Sequence, residues 1–449
     1  NIMDKIDKLR KEIIESDTFC FYPFLELSTN PAGHVKPCCY YADTLKPELD
    51  SKVEDQYVLS NDNTFEEVWN SNSLKDIRTK MHNGEKLSAC DICYRDGIAS
   101  MRQRSVNEYK NDREVLHRVS DALDNNGHSD KTPKRLELKP NNLCNLKCVM
   151  CNSYDSSQIA KELKSLAKTH GGIEVSTGRF EKISDKPGIN ENNANFEGID
   201  VPDWSDNEEI WDSFCRILPG VDTLSFAGGE PPLMPWVHKA LQRAIDTGVS
   251  KNISIYVASN FTNIHQSFLD FMPHFKKFEL LASIDGTEEV NNYCRFPSNW
   301  DSVSKNFIKA KSFTESSNIK LVTNITVNML NVLNLTDLLY WIEERSQEYP
   351  YYKQWPYNLN VLSFPMGQHV GNLSDNNKKL AIDRLEEYKR NSLILKEFPD
   401  LTHKIDLVIQ EINQPRNEFE YFKFVGRVNV LDKHRKVSYK DFIPELDLE

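Results

Sequence analysis

The stretch Cys144-Asn145-Leu146-Lys147-Cys148-Val149-Met150-Cys151 sets three thiols within eight residues, just after the alternating run Arg135-Leu136-Glu137-Leu138. Three thiolates in one tight loop can hold three irons of a [4Fe–4S] cube and leave the fourth iron open to a substrate or cofactor. The same trio can also serve a zinc ion completed by a distant His or Cys. Working outward, the remaining cysteines repeat the theme. Cys20 stands with Cys38 and Cys39, then comes Cys90-Asp91-Ile92-Cys93, and only Cys215 and Cys294 are isolated. Gaps of two and three residues are metal-ligand spacing, and a reducing compartment would not keep structural disulfides.

Beyond Pro133 short apolar runs alternate with helical text. Strands are expected at 135–138, 223–226, 254–258, 279–284, 321–327 and 359–364. Strands alternating with helices predict right-handed βαβ units and a parallel sheet, open or closed into a barrel. Residues 170–203, rich in Gly, Asn, Asp and Ser, read as a polar insertion and a candidate lid. Upstream, a helix is expected over 4–15 and a short hairpin between Phe19 and Tyr41, around Asn30-Pro31 and Gly33. Thr64-Phe65-Glu66-Glu67 is a capping box. Val68, Trp69, Leu74, Ile77 and Met81 supply the apolar spacing of two short helices behind it. One helix is expected over 98–123, then a polar linker from Asn125 to Asp130. From Ser374 the periodicity of Leu380, Ile382, Leu385 and Tyr388 marks further helix.

The chain has 449 residues, 39% hydrophobic and 27% charged, enough for two or three domains. Its 55 Lys+Arg against 67 Asp+Glu leave a net charge of −12. That acidity disfavours nucleic acid as a partner, although Lys433–Lys436 leaves room for a local contact. No run of about eighteen apolar residues occurs, so no membrane span is expected. The first residues read as a polar amphipathic helix without the apolar stretch of a secretory signal, which predicts a cytoplasmic protein.

The loop from Cys144 to Cys151 resembles the CxxxCxφC signature of the radical S-adenosylmethionine (SAM) superfamily, with Met150 at φ. Three further matches follow in chain order, each at the end of an expected strand. Ala227-Gly228-Gly229-Glu230-Pro231 resembles the GGE motif, and Ser259-Asn260 stands where the family contacts the SAM ribose. Ser283-Ile284-Asp285-Gly286 resembles an SxDG element. The C-terminal ends of parallel strands are where such sheets place ligands. The resemblance implies that Gly228 and Gly229 let the backbone approach the methionyl ammonium, while Glu230 shapes that turn or favours the ammonium. Ser259 and Asn260 suit ribose hydroxyls, and Ser283 and Asp285 the ribose or methionyl end. Arg295 is a candidate partner of the methionyl carboxylate. Asn145 and Lys147 flank the cluster.

Cys20, then Gly33-His34-Val35-Lys36-Pro37-Cys38, then Cys90 and Cys93 resemble the C…GxxxxC…CxxC pattern of the SPASM domain and its shortened relative, the twitch domain. Four thiolates close the coordination of an auxiliary [4Fe–4S] cluster, with zinc as the alternative metal and Cys39 as a possible substitute for Cys38. In the familiar arrangement this domain follows the barrel; here it precedes it.

The resemblances imply an α/β fold: a partial (β/α)6 TIM-like radical SAM barrel with a small N-terminal Cys-rich cluster domain and a C-terminal helical extension. The expected division is an N-terminal helix (1–16), a twitch/SPASM-like domain (17–105), a helix and linker (106–132), the barrel (133–370) and the extension (371–449). The implied chemistry is reductive cleavage of SAM to methionine and a 5′-deoxyadenosyl radical, which abstracts a hydrogen atom from the substrate. A flavodoxin or ferredoxin would donate the electron. The leading expectation for substrate is a peptide or protein side chain. Alternatives are a dehydrogenase or epimerase acting on a small carbohydrate or nucleotide-like metabolite, and a non-catalytic zinc scaffold. Cys294 is a candidate hydrogen-atom donor, with a buried packing role as its competitor.

Overall fold

Alternate side chains of an extended chain face opposite sides, so runs with apolar residues at every second position fold as strands with one face in the core. The computed structural model describes residues 2–46, 56–97, 100–169, 173–174, 181–182, 201, 203–347 and 355–448. Its strands are β1 (Glu26–Thr29), β2 (Val35–Lys36), β3 (Arg135–Leu138), β4 (Ile173–Glu174), β5 (Glu181–Lys182), β6 (Thr223–Phe226), β7 (Ser254–Ser259), β8 (Lys277–Ser283), β9 (Ile319–Val327) and β10 (Tyr357–Val361). All but β4 and β5, which pair with each other, form one sheet in the order β10-β9-β8-β7-β6-β3-β1-β2. Every neighbouring pair in it is parallel except β1 with β2.

Parallel neighbours need crossovers, and helices supply them: Pro235–Asp246 between β6 and β7, Trp300–Ser312 between β8 and β9, Leu335–Gln347 between β9 and β10. One face of β8, Phe278, Leu280 and Ala282, is fully buried, as are Val237, Ala240, Leu241 and Ala244 of the first crossover helix. The topology therefore brings the C-terminal ends of β3 and β6 to β10 to the same edge of the sheet.

The expected strands are present with shifted ends. β8 and β9 each begin two residues early, and β10 stops at Val361 rather than Phe364, where its register partner Val327 ends β9. The single helix expected over 98–123 is broken in two, Met101–Tyr109 and Arg113–Asp124. Asp112 causes the break: its carboxylate accepts from the Val115 backbone N–H and so starts a new helix. Of the insertion expected at 170–203, only β4, β5 and residues 201 and 203 lie among the described residues. No described helix is long and apolar enough to cross a membrane.

The cysteine-rich segment is stitched into the main sheet. Glu26, Leu27 and Ser28 of β1 lie beside Arg135, Leu136 and Glu137 of β3. Behind it, Arg78 is fully buried with no carboxylate hydrogen-bonded to it among the described residues. Its guanidinium donates to the carbonyls of Pro23 (2.7 Å), Gly127 (2.7 Å) and Trp69 (3.0 Å) and stacks 4.3 Å from the Trp69 ring centre. One side chain thus ties the entry to β1, the capping-box helix and the linker before β3. Replacing Arg78 by Met strands three buried acceptors and is expected to cost about 3 kcal/mol or more. Denaturant unfolding of anaerobically purified protein measures this, and a loss below about 1 kcal/mol contradicts the assignment.

Candidate functional site

A cavity of about 460 Å³ opens at the C-terminal edge of the parallel strands. Cys144, Cys148, Met150 and Cys151 line it from the loop after β3, and Gly228, Gly229 and Glu230 from the turn after β6. Ser259 and Asn260 enter from β7, Ser283 from β8, and Arg295 from beyond the helix that follows. Eleven of the residues singled out from the sequence therefore share one wall. Asp285 and Cys294, like the flanking Asn145 and Lys147, do not reach it. Asp285 is fully buried behind the wall, with one carboxylate oxygen accepting from Thr326 N–H (2.8 Å) and the other paired with Arg295 Nε (2.7 Å). Its place is to hold Arg295, so direct contact of Asp285 with the occupant of the cavity does not follow from this geometry. Cys294 is fully buried and absent from the lining; its carbonyl accepts from Val149 N–H (2.9 Å). Its side chain packs in the main hydrophobic core.

The Gly228-Gly229 turn requires its glycines. Both have positive φ (72° and 52°), and a Cβ on Gly229 would lie 2.3 Å from the Leu143 carbonyl oxygen. The turn can then press on the cysteine loop, where Gly229 N–H donates to Asp155 O (2.9 Å) and Glu230 N–H to Leu143 O (2.8 Å). The Glu230 carboxylate accepts from the Ser259 hydroxyl and from Asn260 N–H (2.8 Å). Burial pushes it up to about 7 against those hydrogen bonds. Asn145 and Lys147 are engaged rather than solvated. Asn145 receives the Asn260 amide (2.9 Å) and donates to Thr262 (2.7 Å), and Lys147 pairs with buried Glu162 (3.1 Å).

Burial raises all three thiols, Cys144 to about 12. Apolar surroundings keep a thiol protonated until a cation compensates the thiolate, so three such thiols on one cavity suit a cationic metal centre. The cavity residues that sequence reading missed include Lys139, paired with Asp155 at 3.0 Å, and Thr326 and Leu362 at the ends of β9 and β10. Nothing in their spacing marks them. Only the sheet brings them to this edge.

A second group of thiols meets near β1. Cys20, Cys38, Cys90 and Cys93 line one small pocket with Tyr22, Tyr41, Tyr94, Met81 and Arg102. The Arg102 Nε has no acceptor among the described residues, which suits an anionic, sulfide-bearing occupant. Burial raises Cys20 to about 11 and Cys90 to about 12. Cys39 turns away. Its sulfur lies with carboxylate oxygens of Glu26 and Glu137, all within 4.8 Å of one another. Arg135 already pairs with Glu26 at 3.0 Å.

Residues 20–94 match the family model SPASM, described as an iron–sulfur cluster-binding domain. This stretch is thus similar to the SPASM iron–sulfur domains. For the four thiols of the SPASM pocket, the match favours iron–sulfur over zinc. No curated protein matches the chain. Among solved structures, Streptococcus suis SuiB bound to S-adenosylmethionine is similar at 13% identity and TM-score 0.35, over 67% of this chain and 55% of that one. SuiB bound to precursor peptide SuiA gives 12% and 0.34, over 73% and 68%. The anSMEcpe structure with bound AdoMet and Cp18Cys peptide gives 16% and 0.34, over 56% and 59%. The chain thus spans little more than half of the first and third, and similarity this low carries no conclusion about activity.

The pocket geometry separates two neighbouring cysteines of the SPASM domain. Cys38→Ala is expected to lower the iron of reconstituted protein by up to about four atoms per chain, one cluster's worth, while Cys39→Ala keeps it. Iron and acid-labile sulfide assays decide, and equal losses in the two variants contradict the assignment.

Proposed function

We propose that this chain is a radical SAM enzyme with an N-terminal auxiliary cluster, and that it modifies a side chain of a peptide or protein. The observation that carries the proposal is the convergence of the cysteine loop, the GGE turn, Ser259-Asn260, Ser283 and Arg295 on one cavity from four separate strands. In this reading β3 and β6 to β10 are the strands of a partial (β/α)6 barrel. The chain divides as helix (1–16), auxiliary cluster domain (17–105), helix and linker (106–132), barrel (133–370) and helical extension (371–449). With a [4Fe–4S] cluster and SAM bound, the chemistry supplied is one-electron cleavage of the sulfonium to methionine and a 5′-deoxyadenosyl radical, which takes a hydrogen atom from the substrate.

The residues of the chain do the holding. Cys144, Cys148 and Cys151 would hold the cluster, whose open iron would take the methionyl end of SAM. The Gly228-Gly229 turn gives backbone access to the ammonium, and Glu230 locks that turn to β7 through Ser259 and Asn260. Arg295, oriented by Asp285, presents its guanidinium to the methionyl carboxylate. Ser259, Asn260 and Ser283 offer hydroxyl and amide groups to the ribose. Cys20, Cys38, Cys90 and Cys93 would hold the auxiliary cluster. A flavodoxin or ferredoxin in a reducing cytoplasm would supply electrons. Peptide modification is supported by the resemblance of the N-terminal pattern to SPASM and twitch domains.

Reconstituted protein given dithionite and SAM is expected to form 5′-deoxyadenosine, and Cys148→Ala to lower that rate at least about a hundredfold. With side-chain-deuterated peptides encoded beside its gene, the label should move into the 5′-deoxyadenosine. Label transfer from a deuterated sugar or nucleotide, with none from any peptide, overturns the substrate assignment. Colourless protein loaded with zinc overturns the radical chemistry.

A further inference from the structure

The backbone carbonyls of the cysteine loop need partners, because a buried acceptor left unpaired costs about 1–3 kcal/mol. Near the loop itself, Ser157 donates to Cys144 O (3.3 Å) and Ser156 to Leu146 O (2.7 Å). Three further donors come from more than two hundred residues downstream. Arg435 Nη2 donates to Lys147 O (2.8 Å), Gln368 Nε2 to Val149 O (3.1 Å), and Arg427 Nη2 approaches Cys151 O (3.4 Å). Arg427 and Arg435 lie on the helix Glu418–Arg435.

Arg435 is the centre of this group. Its side chain is 4% exposed and bridges both oxygens of Glu162, 2% exposed, at 2.9 and 2.7 Å. Glu162 also holds Lys147, the residue just before Cys148. The guanidinium sits 4.9 Å from the Phe296 ring centre, and Phe296 O accepts from Lys147 N–H (2.6 Å). Lys147 is therefore gripped at its backbone N–H, its carbonyl and its ammonium.

We propose that the C-terminal helix clamps the Cys144–Cys151 loop, with Arg435 as the positioning residue that also sets the reduction potential of the cluster held there. The inference rests on the reading of that loop as a cluster site. On the side of the C-terminal helix, Lys147, Arg427 and Arg435 set three cations against Glu162 and Asp432, while elsewhere around the loop Asp155 is paired with Lys139, Asp285 with Arg295, and Glu230 adds a further carboxylate. Adding an electron makes a cluster more negative, so buried positive charge stabilises the reduced state and raises the potential. Lysine keeps the charge of Arg435 but cannot span both Glu162 oxygens and the Lys147 carbonyl.

The test is an anaerobic redox titration of the full chain, following the reduced-cluster EPR signal that changes when SAM is added, with iron counted for each variant. Arg435→Gln is expected to move the midpoint to more negative potential, Arg435→Lys to return it toward wild type, and Glu162→Gln to move it to more positive potential. Loss of iron from folded Arg435→Gln that Arg435→Lys restores also supports the clamp. An unmoved midpoint with full iron in Arg435→Gln overturns it, as do equal shifts in the Gln and Lys variants. If Arg435→Gln does not fold, Glu162→Gln decides alone, and a shift to more negative potential overturns the proposal. Absence of any SAM-responsive signal in wild type overturns instead the cluster reading on which the clamp depends.

Discussion

Three sulfurs confined to one half-buried loop concentrate negative charge as soon as they are deprotonated, and the surrounding chain is arranged to tolerate it. Desolvation alone favours the neutral thiols. Opposing it are the cations Arg295, Lys147, Arg427 and Arg435, each held by hydrogen bonds or ion pairs to the framework. Asp285 and Glu162 are the counter-charges that let two of these guanidiniums be buried. A buried carboxylate here thus serves to aim a cation, which is why Asp285 sits behind the wall rather than on it.

The sheet makes the convergence possible. Parallel strands end on one edge, so loops far apart in sequence meet there without long connections. The same sheet also receives β1, and through it the SPASM domain. The register of β1 on β3 places Ser28 beside Glu137, near Cys39, while Cys38 faces the pocket of four sulfurs. The SPASM domain is therefore joined to the strand that leads into the cysteine loop.

What was legible in the sequence was local. CxxxCxxC and CxxC spacing announce ligands because a few residues of chain must bring the sulfurs together, whatever the rest of the fold does. Strand periodicity placed β3 and β6 to β10 because each buries a face. The break at Asp112 is not marked by residue spacing, because a single side-chain cap decides the helix boundary. The choice between Cys38 and Cys39 depends on which way adjacent side chains turn, and spacing is nearly blind to that. Arg435 with Glu162, and Gln368 with Val149, are pairings across hundreds of residues that only the packed helix Glu418–Arg435 and the turn after β10 reveal.

The central claim is that one iron at the Cys144–Cys151 loop has no protein ligand and accepts the methionyl end of SAM. Electron–nuclear double resonance of the reduced protein with SAM labelled by 15N in its amine and 17O in its carboxylate tests this directly. The account predicts couplings from both labels to a cluster signal that disappears in Cys144→Ala and persists in Cys38→Ala. Absence of both couplings beside an intact cluster signal at this loop, or a redox-silent tetrahedral metal bound there by a fourth side chain, contradicts it.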